Sequence, residues 1–285
     1  MKQTKYAIRC LIDNNPIENL NIKLCKHLLG VNKHTSNAGC RAELGRQPLL
    51  LTGAKSFIKN WIRIVDGESN TILENAFKVN RNFQLQWTSK LKDILQRHGL
   101  GYIWEHQFIS EQTKTLKNYV NTIIMRLTDG YIQTTLSHIK SQPKLRTYCL
   151  LKNDFLMEHY LVNIRNIKTR VAVSKFRLSD HRLAIEAGRY IRPKVDPKDR
   201  TCPVCKVTQD EIHCLVTCQI NKTSRDILFD EIMKTKPSFM FMNSKDKFVY
   251  LLQNRTELST KIYKLIESSL LASYDHVNKT HVDPS

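Results

Sequence analysis

Four residues near position 200 have the types and the spacing to hold a metal ion. Cys202-Pro203-Val204-Cys205 is a CxxC pair, His213 follows after seven residues and Cys218 after four more. Two thiolates separated by two intervening residues can grip one ion from a single tight turn, and a later His/Cys pair can close a tetrahedral shell. A shell of four protein ligands leaves no position open for water, so the spacing predicts a structural zinc site and not a catalytic one. Of the eight cysteines, Cys10, Cys25, Cys40 and Cys149 stand alone, while Cys202, Cys205, Cys214 and Cys218 cluster. A redox CxxC normally opens a helix in a βαβ setting, and Pro203 with its basic flanks does not fit one.

Cys214 leaves the fourth ligand open. On an unbroken helix His213 and Cys218 point well away from one another, whereas Cys214 and Cys218 share a face. Helical geometry alone favours an all-cysteine site; a helix that ends or distorts before Cys218 restores His213. His181 lies far upstream and reads as a hydrogen-bonded histidine rather than a ligand.

The segment that leads into this cluster is basic. From Asn163 to Thr201 there are eleven Lys and Arg against four Asp and Glu, a local +7 within a chain of net charge +19. Such density suits a phosphate backbone, with Arg177, Arg182, Arg189, Arg192, Lys194, Lys198 and Arg200 as candidate contacts. Tyr190, between Arg189 and Arg192, is placed to stack on an unpaired base. Arg177 and Arg189 are the leading candidates, because they flank the His181 to Glu186 turn.

The elements that must position these groups read as mostly α: a helical bundle with a small CCHC zinc knuckle and a C-terminal helical tail. Ile17, Leu20, Leu24 and Leu28 recur at helical spacing, with Asn15 as cap, Pro16 in the first turn and Gly30 as stop. Further helices are expected at Asn37 to Leu44, Leu49 to Val65, Thr71 to Val79, Trp87 to His98, Glu111 to Ile139, Asp226 to Met233, Lys245 to Leu252 and Leu258 to Tyr274. Pro143 to Arg177 reads as mostly helical, and Gly188 to Arg200 as a linker. The expected divisions are 1–140, 141–198, 199–220 and 221–285. Trp61, Trp87 and Trp104 fall in apolar helical patterns and read as core. With no leader and no apolar run long enough to span a membrane, an intracellular protein is expected, nuclear or cytoplasmic and not secreted. Its cysteines are then reduced.

The spacing of Cys202, Cys205, His213 and Cys218 is similar to the C-terminal CCHC motif of LINE-type (non-LTR retrotransposon) reverse transcriptases. The run Ser174 to Tyr190 resembles the segment that precedes that motif, and Leu24 to Val31, Glu43 to Leu49 and Phe248 to Leu252 extend the match. The resemblance implies His213 as ligand, with Cys214 packing beside the site. It also implies a position downstream of a polymerase thumb, with element RNA or target DNA, and the polymerase part of a longer parent protein, as partners. The departures are informative. The sequence has no Asp-Asp pair to ligate the metals of a polymerase. Beyond the cysteines, the runs Glu231 to Lys234 and Glu257 to Lys261 lack the spacing of a nuclease centre. The expectation is a non-catalytic nucleic-acid-binding region; the alternatives are a protein-interaction scaffold or a decayed, truncated element.

Overall fold

The computed structural model describes residues 15–65, 71–83, 86–105, 113–193, 195–253 and 258–279. Lys194, Glu111 and the side chain of Trp87 lie outside the described residues. The protein is mostly helical: among the described residues there is no sheet, and extended backbone pairs only at two isolated bridges, Leu44 with Met157 and Thr201 with Thr208. No helix among them is long and apolar enough to cross a membrane.

The chain divides into two compact units, Met1–Asn21 with Gln47–Thr135, and Ile22–Arg46 with Leu136–Ser285. The segments expected separately at 141–198, 199–220 and 221–285 therefore fall in one unit.

Helix α1 (Pro16–Leu29) has the expected punctuation. Asn15 Oδ1 accepts the Ile17 N–H at 2.9 Å, and Gly30 takes φ +64, where a Cβ would also fall 2.5 Å from Val171. Its apolar row is turned the other way from a core face. Ile17, Leu20, Leu24 and Leu28 are exposed, while Glu18, Asn21, Ile22, Cys25 and Leu29 are buried. The polar members of the buried face are satisfied: Glu18 accepts the Leu50 N–H at 2.7 Å and the Asn21 amide at 3.4 Å. Burial with partners removes the penalty that would have forced this face outward.

The first unit is built on α3 (Leu49–Val65), α4 (Thr71–Asn82), α5 (Gln86–Arg97), α6 (Gly101–Glu105) and most of α7 (Thr113–Ser141). Trp61 and Trp104 are core, as expected, with ring centroids 6.3 Å apart, and Phe77 meets Trp104 edge to face at 6.3 Å.

The second unit holds α2 (Asn37–Glu43), α8 (Tyr148–Leu151), α9 (Tyr160–Asn163), α10 (Ile167–Arg177), α11 (Ala184–Ala187), α12 (Lys222–Thr235), α13 (Ser244–Gln253) and α14 (Ser259–Lys279). Residues 143–177 are more broken than periodicity implied, because Pro143 opens only a 3₁₀ turn and the chain between α8 and α9 bridges to Leu44. One apolar cluster joins α10, α12, α13 and α14, and it includes Val173, Phe176, Leu228, Ile232, Phe248, Leu251, Ile262 and Ile266.

Beside this cluster the buried Arg177 and Lys152 form an ion-pair network with the buried Glu43 and the partly exposed Glu158. Arg177 donates from Nε to Glu43 at 2.6 Å and from Nη2 to Glu158 at 2.9 Å, and Lys152 donates to Glu158 at 2.6 Å. The rings of Tyr148 and Tyr160 lie 5.9 and 5.5 Å from the guanidinium. Burial works against the Arg177 charge, yet Glu43 and Glu158 outweigh it and raise its pKa. Arg177 is therefore a correction to the sequence reading: at 2% exposure it is committed inside the fold and is no phosphate contact. Replacing Arg177 with Ala strands the Glu43 carboxylate and is expected to lower unfolding stability by about 3–5 kcal/mol in denaturant titration. A loss below about 1 kcal/mol contradicts the network.

Candidate metal centre

Two short arms bring the four donors together. In the first, Cys202 donates its N–H to the Val207 carbonyl at 2.7 Å, and Lys206 donates to the Cys202 carbonyl at 3.0 Å. Thr201 bridges to Thr208, and Lys206 takes φ 59, the left-handed step that closes the turn. Cys202 and Cys205 are thus folded onto one side of a tight loop.

The second arm depends on a distorted helix. Asp210 Oδ1 accepts the His213 N–H at 2.7 Å and starts the turn. On an α-helix, positions five apart diverge by about 140°. Here the backbone opens into a π-turn at His213–Thr217, closed by the Cys218 N–H donating to the His213 carbonyl at 2.8 Å. An i→i+5 bond sets residues five apart one turn above each other, so His213 and Cys218 face the same point. Cys214 is turned into the apolar cluster with Leu215 and Val216. The argument from an unbroken helix, which favoured Cys214, fails because the helix is not regular there.

The donor atoms of Cys202, Cys205, His213 and Cys218 all lie within 4.8 Å of one another, and the Cys202 and Cys218 sulfurs are 3.8 Å apart. A tetrahedral ion with metal–sulfur bonds of about 2.3 Å sets its sulfurs about 3.8 Å apart. The imidazole is oriented for the same task. Thr217 Oγ1 stands 3.1 Å from His213 Nδ1 and 3.4 Å from the His213 carbonyl. With its hydroxyl donating to the carbonyl, its oxygen is free to accept an Nδ1–H, and that tautomer carries its lone pair on Nε2. That Nε2 is buried and has no hydrogen-bond partner, an orphan whose simplest satisfaction is a metal bond.

The electrostatics agree. Burial lowers the His213 pKa, with Asp210 opposing and Arg225 assisting, so the ring is held neutral. Burial, reinforced by Cys202 and Cys205 against the Ile220 N–H, pushes the Cys218 thiol up to about 12. Three thiols this close ionise together only around a cation. The Gln219 N–H points at Cys205 Sγ at 3.3 Å, and Arg225 donates to the Cys218 carbonyl. The cluster can hold one metal ion in a closed shell.

Sequence reasoning missed the groups that brace this centre. Glu211, 0% exposed, accepts Ser179 Oγ at 2.7 Å, His181 Nε2 at 3.0 Å and Arg146 Nη2 at 2.7 Å. Burial pushes its pKa up, but His181, Arg146 and Ser179 outweigh that and hold it at about 2. Arg146 also grips Glu186 at 2.7 Å, and Gln209 takes the Ala184 and Ile185 N–H groups at 2.8 and 3.2 Å. His181 is a structural partner of Glu211, as expected. Asp210 three before His213, and Thr217 four after it, are the only sequence signals of this bracing.

The remaining candidates separate sharply. Arg200 is a second correction: its buried guanidinium serves the Ile185 and Val195 carbonyls at 2.7 and 2.8 Å, and its methylenes fill the space left by Gly188, whose Cβ would come within 2.7 Å of them. Arg189 is half-buried, paired with Glu186 at 2.8 Å and donating to the Pro143 carbonyl at 3.3 Å. Arg182, Tyr190, Arg192 and Lys198 are exposed.

Comparison with protein-family models, curated proteins and solved structures found no match.

Native mass spectrometry is expected to find one bound ion per chain, lost in Cys205→Ala and retained in Cys214→Ala; the opposite pattern contradicts this ligand set. Thr217→Val, which removes the acceptor at Nδ1, is expected to weaken metal affinity by about 10–100-fold in competition with a chromophoric chelator. An unchanged affinity contradicts the orienting role.

Proposed function

We propose that the chain is a zinc-stabilised, non-catalytic nucleic-acid-binding region of the kind found in LINE-type reverse transcriptases. Three thiolates and an imidazole in a closed tetrahedral shell suit zinc by softness and geometry. Cys202, Cys205, His213 and Cys218 would hold it, and the ion would contribute folding free energy and no reaction chemistry.

The observation that carries the reading is the coupling of the metal arms to the segment beside them. Arg200, two residues before the first ligand, and Gln209, four before His213, both bond the backbone of α11. Tyr190, 71% exposed, and Arg192 follow directly after that helix. Ligand binding to phosphate then falls to Arg182, Arg192 and Lys198, with Tyr190 offered to an unpaired base. The +19 net charge and the resemblance of Ser174 to Tyr190 and of the CCHC spacing support RNA or DNA as partner.

One observation favours a second reading. The exposed row of Ile17, Leu20, Leu24 and Leu28 on α1 suits docking on another protein, such as the polymerase part of a longer parent. Filter binding over a range of salt separates the two. Nucleic-acid binding predicts steep salt dependence, reduced by about 0.7–0.9 per contact in Arg192→Ala and Lys198→Ala with metal content unchanged. Weak binding with a shallow slope contradicts it and favours the scaffold.

A further inference from the structure

A second surface with the chemistry of nucleic-acid binding stands on the turn between α12 and α13. Phe241 is 86% exposed, the highest value among the large apolar side chains described, and Met240 beside it is 65% exposed. The turn that presents them is anchored by packing and hydrogen bonds. Phe239 is buried at 1%, edge to face with Phe229 at 5.0 Å and tilted against Tyr250 at 5.3 Å. Met242 donates its N–H to the Phe239 carbonyl at 3.2 Å, and Asn243 Oδ1 caps α13 by accepting the Asp246 N–H at 2.9 Å. An exposed ring on such a base is displayed, not frayed.

Four lysines lie on the turn and the helices that flank it. Lys236 Nζ sits 4.6 Å from the Tyr250 ring centroid, and Lys247 Nζ sits 5.5 Å from that of Phe239. Lys234 and Lys245, before and after the turn in sequence, are exposed. From residue 234 to 247 the sole acid is Asp246, whose carboxylate accepts the Asn243 amide at 2.7 Å. Among the described residues none of these four lysines has a carboxylate partner. Two ammonium groups set on aromatic faces without a carboxylate ion pair, on the elements that flank an exposed aromatic ring, match a flat π-system joined to anions. Two apolar side chains are too few to anchor a bilayer, whereas one ring suffices to stack one base.

We propose that Phe241 and Met240, with Lys236 and Lys247, form a second nucleic-acid contact, in which the Phe241 ring takes an unpaired base and the lysines take the adjoining phosphates. It rests on the nucleic-acid reading given above but uses different residues. Its signature is strand selectivity, because a paired base has no free face to stack.

The test uses the full metal-loaded chain and fluorescence anisotropy with a labelled single-stranded oligonucleotide and a hairpin duplex of the same composition. Phe241→Ala is expected to weaken single-strand binding about tenfold and to leave duplex binding and the melting temperature unchanged, with Phe241→Trp restoring affinity. Lys236→Gln and Lys247→Gln are each expected to reduce the single-strand salt slope by about 0.7. Wild-type binding that survives Phe241→Ala, or an equal loss for both nucleic acids, overturns this contact and leaves the metal-centred reading standing. Absence of any nucleic-acid binding by the wild type overturns both. If the Phe241→Ala loss appears on phosphatidylserine vesicles and not on oligonucleotide, the surface is a lipid contact and the proposal fails.

Discussion

One backbone hydrogen bond, from the Cys218 N–H to the His213 carbonyl, sets the geometry on which the metal centre depends. Closed at i→i+5 instead of i→i+4, it is what lets a histidine and a cysteine five positions apart face the same ion. Regular helix would have turned one of them away and offered Cys214 in exchange. The surrounding groups hold the irregular turn in place: Asp210 fixes its start, Arg225 holds the Cys218 carbonyl just beyond it, and Thr217 spans it to the imidazole. With Cys214, Leu215 and Val216 anchored in the apolar cluster, the π-turn is wedged between core and metal.

The consequences run outward through charge. In this basic chain the arginines and lysines divide the work by their chemistry. Arg146, Arg177, Arg200 and Arg225 are wholly or largely enclosed, each gripping carboxylates or carbonyls with a planar, multi-donor group. The exposed positive surface is left in large part to lysines such as Lys198, Lys206, Lys234 and Lys245, whose flexible ammonium groups remain hydrated. Among the described residues the buried cations Arg41, Lys152, Arg177, Arg200 and Arg225 stand against the buried Glu18, Glu43, Glu186 and Glu211, so burial takes little of the +19 formal charge away from the surface.

The same division explains what the sequence could and could not reveal. Ligand spacing, the Asn15 and Gly30 punctuation of α1 and the core tryptophans Trp61 and Trp104 were legible because each is a local rule. Which of two overlapping rows on α1 faces inward was not, since Glu18 and Asn21 become buriable with the help of each other and of the distant Leu50 N–H. Arg177 reads as surface charge until Glu43, far away in sequence, is seen beside it. The choice between His213 and Cys214 turned on a helix irregularity that carries no residue signature of its own. Glu211 and Gln209 were invisible for a related reason: their partners lie on α11 and its flanks and on Arg146.

X-ray absorption at the zinc edge of the purified, zinc-loaded chain tests the central claim most directly. The account predicts three sulfur scatterers at about 2.3 Å and one imidazole nitrogen at about 2.0–2.1 Å. A shell of four sulfurs would place Cys214 in the site and contradict the π-turn geometry, and a shell dominated by oxygen or nitrogen would contradict the centre altogether.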